Sequence, residues 1–335
     1  MRGNTLMRLR TPLFVVALAG SLLIAPVAAQ AVPCAVTDTM IKASQAWVTK
    51  GTDLKANNWS NANFHVGNIA QVRTTGISNH KTWPWVKANK YLLPIDPANP
   101  YAPDPQSSGE AYLAVSFFHP EPEVLQPLRD NLRAQAKTGK FDHWKSPDAL
   151  TMSLPSFTEV AVRDLDQDLL DYSYRSYRSL KKRTFDEVTG LWSLNVQTNG
   201  WAVQGLAKAI LMLPKDNPYR ADYAKTLRKS AQTLRHLQRH DGFWGATGKD
   251  SAATAMITYA FAAGVNAGVL DKETYLPYVQ KGWQALQTAL DADGLLGWTA
   301  ARNSWKPASA GDSAGFAVGS FLIAGQQLVP LTPGC

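Results

Sequence analysis

Two aspartates stand where carboxylates could do acid–base work. Asp148 lies in "KSPDALTM", directly after Pro147 and before an apolar run, and Asp104 lies in "PDPQSSGEAYL". A carboxyl group placed in a cavity can serve there as a general acid or base. The plainer role is a helix cap, because Asp and Asn are preferred N-caps. Pro147 and Ser146 can start and cap the helix themselves, which places Asp148 in the first turn with its carboxylate free. Asn63, Asn199, Asp250 and Asp312 occupy the same kind of position in "NNWSNANF", "TNGWAVQG", "KDSAATAM" and "GDSAGFAVG". For Asp250 and Asp312, capping and function weigh equally. Near these polar positions come Trp59, Trp144, Trp201, Trp244 and Trp298. Flat indole faces can stack on sugar rings while amides and carboxylates orient hydroxyls, so the set suits a carbohydrate cavity.

Other chemistries lack their residues. His236 and His240 are four apart, but they end a solvent-facing helix without a carboxylate neighbour, so they read as a solvated pair and not a zinc site. Phosphate loops and nucleophile elbows are absent, and neither a metal nor an organic cofactor is expected. The only basic run, Lys181 to Arg183, reads as a solvated face and not a nucleic-acid site.

The elements that must position these residues repeat. "TGKFDHW", "TGLW", "DGFW" and "DGLLGW" resemble one another, and their glycines, Gly139, Gly190, Gly242 and Gly294, are 51 to 52 residues apart. A period of this size marks a repeated supersecondary unit. Each unit reads as two helices. One is amphipathic: in "NPYRADYAKTLRKSAQTLRHLQRH", Tyr223, Leu227, Leu234 and Leu237 share a face, with charges opposite. The other, as in "GWAVQGLAKAILML", "SAATAMITYAFAAGV" and "SAGFAVGSFLIAG", has no polar side and must be buried. Six such pairs predict an all-α (α/α)6 toroid, with the loops leading into the inner helices gathered at one end. An open superhelix of hairpins is the alternative, and its ends would lie far apart.

Residues 1–31 carry Arg2, Arg8 and Arg10 before "LFVVALAGSLLIAPVAA", followed by "AQA". This is the pattern of a secretory signal peptide, so residues 32–335 are expected to form one secreted or periplasmic domain. Removing the three arginines leaves 31 basic and 26 acidic residues, a charge of +5 against +8 for the whole chain. Such a surface suits an acidic partner. The two cysteines, Cys34 and Cys335, stand at the ends of the mature chain. They are either one disulfide, which needs a fold whose ends meet, or two unrelated thiols.

With these residues in place, the chain resembles the unsaturated rhamnogalacturonyl hydrolases of glycoside hydrolase family 105, as a divergent member. The resemblance runs through "NNWSNANFHVGNIAQVRTTG", "DALTMSLPSF", "NGWAVQGLAKAILMLPKDNPYR", "LRHLQRHDGFW", "TYAFAAGVNAGVLDKETYLPYVQKGWQAL" and "VGSFLIAG". It implies the same toroid and an unusual reaction: hydration of the 4,5-unsaturated uronyl group that pectin lyases leave on the non-reducing end. An aspartic acid protonates C4, water adds at C5, and the hemiketal opens to release the sugar. Asp148 matches the family's acid in "D-x-L-x-M", and Asp104 matches a second carboxylate that would hold the sugar or tune the first. Asn63, Trp144, Asn199, Trp201, Trp244, Asp250, Trp298 and Asp312 are the expected substrate contacts. The expected partner is an oligosaccharide, an acidic one, bound by a monomer with no nucleic-acid partner and no membrane attachment once the signal is cleaved.

The chain departs from the family pattern at one important place. Where the family has "W-x-R-G-N-G-W", with an Arg for the substrate carboxylate, this chain has "NVQTNGW", with Asn195, Gln197 and Thr198 at the Trp, the Arg and the first Gly. The family's "E-T-S" reads Asp250, Ser251, Ala252. Charge-assisted recognition must then come from Lys145, Lys249 or Arg302. The alternative is a member of the same fold that has lost catalysis or changed substrate and binds glycan.

Overall fold

The structure is a computed structural model that describes residues 34–118 and 122–335; the expected signal segment lies outside them. In chain order the α-helices are α1 (Ala35–Lys50), α2 (Trp59–Thr75), α3 (Thr82–Ala88), α4 (Pro103–Ser116), α5 (Gln126–Lys137), α6 (Ala149–Met152), α7 (Leu154–Asp164), α8 (Gln167–Thr184), α9 (Val196–Met212), α10 (Pro218–Leu234), α11 (Ser251–Asn266), α12 (Lys272–Thr288) and α13 (Gly315–Leu328). Among the described residues the only β pairing is an isolated bridge, Leu290 to Leu296. The helices alternate between an outer and an inner layer. The inner ring is α2, α4, α6 with α7, α9, α11 and α13, and α1, α3, α5, α8, α10 and α12 lie outside it. This is the six-hairpin toroid.

Composition explains the layering. Every residue of α9 from Val196 to Ile210 is buried, as is every residue of α11 from Ser251 to Gly264. Small residues let these helices touch backbone to backbone: a Cβ at Gly67 would strike the Gly319 backbone, and one at Gly205 would strike Leu150 O. One ionic pair inside the ring joins Lys208 on α9 to Glu110 on α4 at 2.7 Å, with both side chains buried. The outer helix α10 buries Tyr223, Leu227 and Leu234. Leu237 does not continue that face. The α-helix ends at Leu234, residues 235–237 tighten into a 3₁₀ turn, and Leu237 swings out to 41% exposure.

The repeat lies in turns that need glycine. Gly139, Gly190, Gly242 and Gly294 have φ of 65°, 75°, 87° and 95°, a left-handed conformation that glycine adopts without a Cβ penalty. Ring closure comes from α13, which packs against α2 and α1. It brings the chain ends together, and Cys34 and Cys335 are disulfide-bonded with Cα atoms 4.9 Å apart.

Candidate active site

At the N-terminal end of the inner ring, three chain segments converge on one guanidinium. Pro103 starts α4 and sets Asp104 in its first turn, with its side chain 39% exposed. Asp148 occupies the N-cap position of α6 itself, not the first turn, and its side chain makes no capping bond. Its carboxylate is therefore free for tertiary partners, although it is only 3% exposed. Ser146, which the sequence suggests as a cap, instead donates its hydroxyl to Asp148 Oδ1. Arg302 comes from the long loop between α12 and α13. Its Nε donates to Asp148 Oδ2 at 2.7 Å, and its Nη2 also reaches that oxygen. The guanidinium grips Asp104 with both arms, Nη1 to Oδ2 at 2.7 Å and Nη2 to Oδ1 at 2.9 Å. It also lies 4.8 Å from the centroid of the Trp59 ring, a cation–π contact. Burial works against the charge of Arg302, but the two carboxylates outweigh it and raise its proton affinity.

The loop carrying Arg302 is held by the start of α9. Asn195 caps α9 through the N–H groups of Gln197 and Thr198, and its Nδ2 donates to Ser304 O at 3.0 Å. Gln197 donates to Ala300 O and Asp250 Oδ2, both at 3.1 Å, and accepts Asn303 N–H at 2.5 Å. Thr198 Oγ1 donates to Asn303 Oδ1 at 2.9 Å. Asp250 caps α11 through Ala252 and Ala253 and also takes the Ala300 N–H at 3.4 Å. Burial pushes Asp250 up to about 7, against the pull of these N–H donors and Gln197.

A cleft of about 650 Å³ opens beside Arg302 and Trp59, bounded by Thr299, Lys306, Pro307, Asp312 and Phe316 among others. It can take a sugar ring against an indole face, with two cations in its lining: Arg302, held by the two aspartates, and Lys306.

Several expected contacts lie elsewhere. Trp144 and Trp244 are fully buried in the hydrophobic core, Trp144 edge-on to Phe157 and Trp244 donating Nε1–H to Leu234 O at 2.7 Å. Trp201 is also fully buried, packed behind Trp59 and Phe316 at centroid distances of 6.0 and 5.2 Å, so it supports the indole that faces the cleft. Asn63 is 5% exposed and donates to Trp59 O at 2.8 Å. Asn199 staples its own loop, accepting Trp192 N–H at 2.7 Å and donating to Ser193 O. Trp298 is half-buried with Lys249 Nζ 4.9 Å over its ring. Asp312 does not begin a helix. It closes a turn by accepting from Ser309 N–H and Oγ at 2.7 and 2.9 Å, and it borders the cleft. Of the three cations open for carboxylate recognition, Arg302 reaches the aspartates, Lys145 pairs with Asp142 at 3.1 Å, and Lys249 lies over Trp298. Of the five tryptophans expected near the polar positions, Trp59 lines the cleft; Gln197 was not expected as a site residue, although it stands out by replacing the family's arginine.

Comparison with known proteins bears on the family and the fold. Residues 35–329 match the family described as Glycosyl Hydrolase Family 88. A relative named unsaturated 3S-rhamnoglycuronyl hydrolase, from Alteromonas sp. (strain LOR), is 23% identical over 318 residues, covering 81% of this chain and 77% of the relative. A solved structure described as glycosyl hydrolase family 88 from Bacteroides vulgatus has a TM-score of 0.82 at 22% identity, covering 89% of this chain and 99% of its own. A possible member of the GH105 family from Salmonella enterica subsp. enterica serovar Paratyphi A has a TM-score of 0.74 at 12% identity, covering 88% and 94%. At these identities the solved structures establish the toroid.

Proposed function

Since this chain belongs to glycosyl hydrolase family 88, we propose that it hydrates the unsaturated uronyl group at the non-reducing end of an oligosaccharide, with Asp148 as general acid/base. The observation that carries this reading is the Asp148–Arg302–Asp104 cluster, whose Arg302 lies over Trp59 and lines the cleft with it. A buried carboxyl next to a second carboxylate can hold and return a proton. Asp148 gives its proton to C4, water adds at C5 and leaves its own proton on the carboxylate, and the hemiketal then opens. Asp104 holds the sugar or balances charge, and Arg302 takes the part of the arginine that Gln197 replaces, binding the substrate carboxylate. The name of the Alteromonas relative supports an acidic substrate that joins an unsaturated uronyl group to a rhamnose-type sugar. The basic, apolar and then small-residue pattern of residues 1–31, with the Cys34–Cys335 bond, supports a secreted or periplasmic setting.

The test is the ultraviolet absorbance of the conjugated uronyl double bond on lyase-generated pectin and rhamnose-containing oligosaccharides. Decay of that absorbance is expected with the wild type. Asp148→Asn, whose amide cannot donate the proton, is expected to lose at least about 100-fold in rate with circular dichroism unchanged. Decay that survives in Asp148→Asn would remove Asp148 from the mechanism.

A second reading is a glycan-binding member with lost catalysis or a changed substrate. It draws support from Gln197, whose amide is spent on Asp250, Ala300 and Asn303 and not on a ligand. Tight oligosaccharide binding without decay on any unsaturated uronide would favour it.

A further inference from the structure

An arginine has five N–H donors. Arg302 gives Nε–H to Asp148, one Nη1–H to Asp104, and its Nη2 hydrogens to Asp104 and Asp148. A single N–H, on Nη1, stays outside the two pairs. A guanidinium recognises a carboxylate through two parallel N–H bonds. A uronate therefore cannot be gripped by Arg302 while both aspartates hold it, and one of them must let go.

The two aspartates differ in what replaces the arginine. The Asp104 side chain is 39% exposed, but Arg302 holds both of its oxygens through two parallel bonds, whereas it meets Asp148 at the single oxygen Oδ2, the weaker grip for a uronate to displace. The Asp148 side chain is 5% exposed, and its other hydrogen bond comes from Ser146. A carboxylate stripped of its cation in such a place is costly as an anion and cheap as an acid. Charge counting agrees: two aspartates and one arginine carry one net negative charge, and a uronate brings a second into the same space. Apart from Lys306, which lines the same cleft as Arg302, nearby ionisable groups are engaged elsewhere. On the helices packed against α6, Glu110 pairs with Lys208, Glu159 with Arg163 and Asp164 with Arg129. Lys145 pairs with Asp142, and Lys249 lies over Trp298.

We propose that a substrate carboxylate displaces Asp148 from Arg302 and that this exchange is coupled to uptake of one solvent proton by Asp148. The substrate thus loads the acid that will attack it, and Arg302 keeps the site unprotonated until a uronate arrives. This inference rests on the uronyl reading above.

The test is calorimetric titration of the mature wild-type protein with galacturonate and glucuronate near neutral pH, in buffers of different ionisation enthalpy. The dependence of the measured heat on the buffer gives the protons exchanged. Uptake approaching one proton per bound uronate is expected for the wild type. Binding with no uptake is expected for Asp148→Asn, and none for the wild type with the uncharged methyl esters. Wild-type binding of uronate without uptake would overturn the coupling and leave the uronyl reading standing. Equal uptake in Asp148→Asn would overturn the assignment to Asp148. No uronate binding at all would overturn both the uronyl reading and the coupling.

Discussion

Gln197 joins Asp250 to the loop of Arg302 through the two ends of one amide. Nε2 donates to Asp250 Oδ2 at 3.1 Å, and Oε1 accepts the N–H of Asn303, the residue after Arg302, at 2.5 Å. The position that the family resemblance gives to a substrate-binding arginine is here a clamp on the loop that brings another arginine in.

Cutting that clamp should weaken recognition more than folding. Gln197→Ala removes bonds to Asp250, Ala300 and Asn303, each worth about 1 kcal/mol net. With Arg302 less well placed, kcat/KM on an unsaturated uronide is expected to fall roughly 10- to 100-fold, mostly through KM. Steady-state kinetics indistinguishable from wild type would dismiss the clamp.

Arg302→Ala should strand Asp148 as a buried charge. Removing one partner of a buried pair costs roughly 3–5 kcal/mol, and the 24% exposure of the Arg302 side chain puts this case at the low end. Adding Asp148→Asn to Arg302→Ala is expected to restore most of the loss, because the buried charge is then gone and Asp104, which also loses its cation, is 39% exposed and can be hydrated. Urea melts of both single variants and the double variant give the coupling. A double variant no more stable than Arg302→Ala would show that the two residues are independent.

The disulfide spans 301 residues and ties the closing helices. In the chain-entropy model its loss costs up to about 5 kcal/mol. Cys34→Ser with Cys335→Ser is expected to lower the melting temperature clearly while leaving uronide turnover intact, since neither residue lines the cleft. A thiol count near zero on the denatured, unreduced protein is the companion measurement. Two free thiols would refute the bond.

Acid should act on two buried groups in opposite directions. His65 stacks on Trp85 at 4.3 Å, and burial lowers it to about 3. Below about pH 6.5 the unfolded chain protonates this residue and the folded one does not, so its stabilisation is lost as pH falls from 6.5 towards 3. Asp250 is raised to about 7, so between about 7 and 4 the folded state holds a proton that the unfolded state has released. Its contribution grows as pH falls through that window and offsets His65. Asp250→Asn keeps a good cap but removes the offset. Its melting temperature is expected to drop more steeply than that of the wild type between pH 6.5 and 4. Parallel curves would rule out this balance.

The fold was legible because its causes are local. Gly139, Gly190, Gly242 and Gly294 recur at a fixed period and each takes a left-handed turn, and helices such as "SAATAMITYAFAAGV" leave no side for water. Layer, ring and meeting ends follow from burying such helices together. Asp104 and Asp148 were each legible through their places at helix starts, and only the family resemblance made them a pair. The tryptophans were not. Trp144 and Trp244 follow the same glycine turns, but nearness to a turn does not say which way an indole points, and both rings complete the core.

By itself the sequence determined the six-hairpin toroid and the two aspartates at helix starts, because period, patterning and capping act over a few residues; the Cys34–Cys335 bond, left open against two separate thiols, came with ring closure. The partner of those aspartates was decided by the tertiary structure alone. Arg302 lies 154 residues from Asp148 and 198 from Asp104, on a loop whose course is set by Gln197, Thr198 and Asn195 from another hairpin. No local rule carries a guanidinium across such a distance. Closure of the ring does, by placing the loop before the last inner helix over the starts of α4, α6 and α9.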